Sequence, residues 1–121
     1  MDTLSPLEQA VLEHLLSGET ERYRILQKQI CAVRVTERKL TGVGFFTRFS
    51  TPDDVPKLSH EATFQFGDVA ADINGLKHGA GFLLFVEDGR IETLEGNTYG
   101  EPWPQNVHSF HLYYDGTSER K

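Results

Sequence analysis

Residues 81–96, "GFLLFVEDGRIETLEG", decide the fold class of this chain. Asp88-Gly89 stands between two apolar-rich runs. Such a pair makes the favoured two-residue hairpin turn, because both central positions need positive φ. In that register Glu87 faces Arg90, Val86 faces Ile91 and Phe85 faces Glu92. The incoming run, 82–86, is apolar at every position, which predicts a central strand covered on both faces. On that basis Phe82→Ala or Phe85→Ala is expected to open a core cavity costing about 3–5 kcal/mol. The outgoing strand exposes Glu92 and Glu95.

Upstream of this hairpin, "VRVTERKL" (33–40) alternates Val33 and Val35 with charged neighbours, the period-two pattern of a half-buried strand. "TGVGFFTRFS" (41–50) continues it after a turn at Thr41-Gly42. Val43, Phe45, Thr47 and Phe49 share one face, and Gly44, Phe46, Arg48 and Ser50 the other. Residues 52–60 form a polar loop. "ATFQF" (62–66) is a short strand with Phe64 and Phe66 on one side. Downstream, "VHSFHLYY" (107–114) is a last strand with Phe110, Leu112 and Tyr114 inward, and residues 115–121 are expected to fray.

The N-terminal third has helical periodicity. In "SPLEQAVLEHLLSG" (5–18), Ser5 is an N-cap, Pro6 suits the first turn and Glu8 completes a capping box. Leu7, Val11 and Leu15 form a stripe widened by Leu12 and Leu16, and Gly18 supplies a stop. Tyr23, Leu26, Ile30 and Val33 repeat at three and four in the next run. These patterns predict one α+β domain over residues 1–121, an N-terminal helical hairpin packed on a mainly antiparallel sheet of about five or six strands.

Composition sets outer bounds on function. With 18 acidic against 12 basic residues the net charge is −6, which disfavours a nucleic-acid binder that must approach a polyanion. No apolar run reaches the ~20 residues of a membrane helix. "MDTLSPLEQA" has neither the basic nor the apolar region of a signal peptide, and the single Cys31 suits a reducing compartment. The expectation is a cytoplasmic, acidic protein without membrane or nucleic-acid partners.

No residue pattern spells out a reaction. His108 and His111, with His60 and His78, are the candidate metal ligands, but strand residues three apart point to opposite faces, so no metal and no cofactor is expected. Cys31, in an apolar stretch, is expected to pack as a small hydrophobe. "NGLKHGAGF" (74–82) lacks the lysine and hydroxyl of a phosphate loop and the strand–helix setting of a dinucleotide site. Glu95 or Glu101 with a histidine could act as an acid–base pair, and 18 carboxylates in 121 residues also produce such neighbours by chance.

The stretch "LEGNTYGEPWP" (94–104) concentrates what remains: Tyr99 and Trp103 on a proline-stiffened loop, with Glu95 and Glu101 beside them. Rigid aromatics and pre-ordered loops lose little entropy on binding, while a lone tryptophan in a small domain also serves to plug a core. Together "TGVGFF" (41–46) and the hairpin running into "TYGEPWP" resemble a family of small uncharacterised bacterial single-domain proteins. That resemblance covers nearly the whole chain and implies a bacterial, cytosolic, stand-alone domain, without a catalytic residue to carry over.

The leading functional expectation is therefore a non-enzymatic binding protein. Glu92, Glu95, Tyr99, Glu101 and Trp103 would be its contact residues for a protein partner, one of basic character such as a toxin neutralised by an immunity protein. A small acid–base enzyme and an apolar-ligand binder are the alternatives. For the latter, Phe46 and His78 are the pocket candidates, in a cavity lined also by Phe45 and Phe66. An uncovered phenylalanine in the Phe45-Phe46 pair would equally suit a homodimer.

Overall fold

The structure is a computed structural model, described for residues 3–107 and 109–114. It has an α+β architecture: two helices, α1 (Pro6–Leu15) and α2 (Glu21–Ile30), lie over one face of a seven-stranded antiparallel sheet. The strands are β1 (Arg34–Leu40), β2 (Gly44–Ser50), β3 (Phe64–Phe66), β4 (Val69–Ile73), β5 (Ala80–Glu87), β6 (Arg90–Thr98) and β7 (Phe110–Tyr114). They run β1-β2-β6-β5-β4-β7, and β3 adds to the free half of β5 beside β4. His108 and the expected frayed tail, 115–121, lie outside the described residues.

The Ser5 capping box forms in both directions. The Glu8 N–H donates to Ser5 Oγ and the Ser5 N–H donates to Glu8 Oε1, satisfying two of the donors a helix start leaves open. Val11, Leu12, Leu15, Leu16 and Leu26 are fully buried against Leu84, Val86, Ile91 and Leu94 of the sheet. The first helix ends at Leu15, before Gly18. Gly18 instead lies against the Tyr23 ring, where an added Cβ would come within 2.1 Å of it.

The Asp88-Gly89 turn is present, with φ of 54° and 79°, and Glu87 faces Arg90 and Val86 faces Ile91 as expected. Beyond that pair the register shifts. Phe85 faces Thr93, and Glu92 is the extra residue of a bulge. The expectation that β5 is covered on both faces is also corrected. Ala80, Phe82, Leu84 and Val86 are buried, but Gly81, Leu83 and Phe85 are only half-buried, so the helices cover one side and the other stays open.

The seventh strand, β4, is the one the sequence pattern does not announce. In "VAADI" the alternation of Val69, Ala71 and Ile73 is blurred by alanine at position 70, which is also buried. A second bulge, in β1, has larger consequences. Val35 pairs with Phe49 and Glu37 with Arg48, leaving Thr36 as the extra residue. Because strand side chains alternate, one extra residue reverses the parity of everything after it. Simple alternation puts Glu37 and Lys39 on the face of Val35. The bulge puts Arg38 and Leu40 there instead, opposite Thr47 and Phe45.

Candidate functional site

The segment after β6 begins as a clamp between loops. Gly100 takes a φ of 98°, and the chain then turns so that the Glu101 carboxylate accepts the backbone N–H groups of Lys77 at 3.0 Å and His78 at 2.9 Å. These two bonds hold the Glu101 carboxyl below the usual carboxylate range. Thr98 Oγ1 donates to the Glu101 carbonyl, and the Trp103 N–H donates to the Gly42 carbonyl at 2.8 Å. The loop therefore ties the β1–β2 turn to the loop before β5. Glu101 and His78 do come together, but through backbone, and a carboxylate held ionised in this way is a poor proton donor.

Trp103 points to the helix-covered side. It is half-buried, and its ring meets Phe45 edge-on with centroids 5.0 Å apart. There it forms one wall of a cleft of about 330 Å³ between the start of α1, the end of β1, residues 103–107 and Phe110. At the floor of this cleft lies an ion pair that the β1 bulge makes possible. Glu8 is 2% exposed. It accepts from Arg38 Nη2 at 2.7 Å and Arg38 Nε at 2.9 Å, and Thr47 Oγ1 donates to it at 2.5 Å.

Burial by itself would raise the Glu8 carboxyl. The bonds from Arg38, Thr47 and the Ser5 N–H outweigh it, and the net shift is downward. Arg38 in turn is raised by its hydrogen bond to Glu8. The capping-box residue and the ion-pair residue are one carboxylate. The signal for its partner was Arg38 at odd parity in β1, unreadable without the bulge.

Phe46, Glu95 and Tyr99 lie on the open face. Glu95 sits in one cross-strand row with Phe46 on β2 and Leu83 on β5. The Arg48 guanidinium lies 5.8 Å from the centroid of the Phe46 ring and pairs with Glu37 at 3.6 Å. Tyr99 is 60% exposed, and its hydroxyl rests above Gly81, 3.1 Å from where a Cβ would stand. Glu92 is half-buried in its bulge, and His78 is exposed in the loop before β5.

The structure thus divides the candidate residues. Phe46, Glu95 and Tyr99 share the open face with Leu83 and Phe85. Glu101 is the clamp, and Trp103 belongs to the cleft with Phe45. Phe46 and His78 do not line that cleft. Cys31, expected to pack as a small hydrophobe, is exposed just past α2, because the helix ends at Ile30 and turns it outward. His111 is exposed on β7 opposite Asp72. Among the described residues no group of three or more His, Cys, Asp or Glu comes together to hold a metal. No helix among them is long and apolar enough to cross a membrane. No family model, curated protein or solved structure matches the chain.

Proposed function

We propose that the chain is a binding protein whose open sheet face docks a protein partner presenting a basic group among apolar side chains. One observation carries this reading. Glu95 stands between Phe46 and Leu83 on a sheet face the helices do not cover, and its carboxylate makes no hydrogen bond or ion pair among the described residues. On the same face lie Phe85 and Tyr99, and Tyr113, three strands away on β7, adds a further exposed ring. Aromatic residues are enriched at the centres of interfaces, and a carboxylate among them that has no counter-charge selects a partner that brings a cation. The chain's net charge of −6 favours a basic partner over a second copy of itself.

The acid–base alternative is weaker on this geometry. The lateral neighbours of Glu95 exchange no protons, and Glu101 is occupied by two backbone donors. The test is affinity capture from the native host's lysate with wild type, Glu95→Lys and Glu19→Lys, the last an equal charge change away from the face. A partner held by wild type and Glu19→Lys but lost on Glu95→Lys supports the reading. A partner retained by Glu95→Lys removes the open face from consideration.

A further inference from the structure

We propose that the cleft floored by Glu8 and Arg38 is a second, independent site, which binds a small, uncharged, ring-containing molecule. The cleft opens on the helix-covered side and shares none of its residues with the open face. An exposed leucine alone is ordinary. Leu40, however, is 69% exposed and lines the mouth of a cleft whose other apolar walls include Phe45, Trp103, Val107 and Phe110. It reaches that position only because the bulge at Thr36 reverses the parity of β1. Bulges are common where a strand re-aims side chains toward a site.

Charge selects the class of ligand. Among the described residues, the ionisable ones lining the cleft are Glu8 and Arg38, and they are bonded to each other through two nitrogens. An ion entering would lose its hydration and find a charge already matched, a loss that is not recovered. A neutral ring loses nothing of that kind and gains contact with Trp103, Phe45 and Leu40. Gln105 and Asn106 at the rim supply amide groups able to orient one polar end. The volume of about 330 Å³ lies at the small end of ligand sites. The walls are pre-positioned, since the Glu101 clamp and the Trp103–Gly42 bond fix the segment that carries Trp103.

The test uses N-phenyl-1-naphthylamine, a neutral fluorophore excited by tryptophan emission. Trp103 is the chain's single tryptophan, so sensitised emission reports occupancy of its own surroundings. The expected result is saturable sensitised emission with a Kd of about 1–100 μM. Leu40→Asn, at an exposed position, should fold normally by circular dichroism and weaken binding about tenfold or more, while Phe85→Ala on the opposite face leaves it unchanged. 8-Anilinonaphthalene-1-sulfonate, the same rings with a negative charge, should bind at least about tenfold more weakly than the neutral dye. Absent or non-saturable emission, indifference to Leu40→Asn, or equal affinity for the charged dye would each overturn the proposal.

Discussion

Gln29 lies on the buried side of α2 with no solvent exposure, and every polar atom of its side chain is used. Nε2 donates to the carbonyls of Pro56 at 3.0 Å and Gly89 at 3.1 Å, and Oε1 accepts from the Ile91 N–H at 2.9 Å. One side chain thus fastens α2 to the 52–60 loop and to the turn of the β5–β6 hairpin. Gln29→Leu keeps the volume and strands these groups without partners. It should cost about 2–3 kcal/mol in urea unfolding, and a loss under about 0.5 kcal/mol would mean that water or relaxation replaces the bonds. Arg38 poses the complementary case. Arg38→Met leaves the Glu8 carboxylate buried with only Thr47 and Ser5 to hold it, and should cost about 3 kcal/mol. Replacing both, as Glu8→Met with Arg38→Met, should recover part of that loss; a double variant as unstable as the sum would deny the coupling. Neither role was legible in the sequence. Glutamine at helical spacing reads as surface, and Arg38 reads as outward-facing until an extra residue is placed in β1.

At the scale of elements, the alternation along β5 separates two phenylalanines that look equivalent in "GFLLFVE". Phe82 is 4% exposed and meets Phe45 at a centroid distance of 6.5 Å. Phe85 faces Thr93 and Gln65 on the open side and is only half-buried. Phe82→Ala should therefore cost about 3–5 kcal/mol and Phe85→Ala about 1 kcal/mol or less. Equal losses in chemical unfolding would show that something covers the outer face. The helices, the Asp88-Gly89 turn and the β1–β2 hairpin were legible because each rests on a local rule: a cap, an apolar stripe, a pair of positive-φ residues. The pairing of Phe85 with Thr93, the strand Val69–Ile73 and the reversal in β1 were not. A bulge depends on which strand lies alongside, and β4 carries too many alanines for its pattern to stand out. The stretch "TYGEPWP" was legible as special but not as divided. Tyr99 goes to one face, Glu101 to the clamp and Trp103 to the other face, because Gly100 turns the chain between them.

On the scale of the whole molecule, two carboxylates hold separate parts of the structure in their ionised form. Glu8 joins α1 to β1 and β2, and Glu101 joins the loop after β6 to the loop before β5. Both carboxyls are lower in the folded chain than in the ordinary state. Unfolded, they titrate near ~4.3. Between that value and their folded values the unfolded chain binds more protons, so stability must fall as pH drops through this window. The contribution is fully present above about pH 5 and is gone once both folded carboxyls are protonated. The urea midpoint should accordingly decline as pH falls below about 5. Glu101→Gln assigns part of that decline to the clamp. An amide has one acceptor oxygen and no charge, so the variant should be less stable than wild type at pH 7. The difference should shrink as pH falls through the titration of the folded Glu101 carboxyl, where wild type loses the same charge. The same titration should move Trp103 emission, because Glu101 positions the segment that presses Trp103 against Phe45. A stability difference that stays the same size down to the lowest pH at which the chain is folded would show that the carboxylate's charge plays no part in holding the loop. In that case the clamp would be a matter of shape, and the low-pH decline would belong to Glu8.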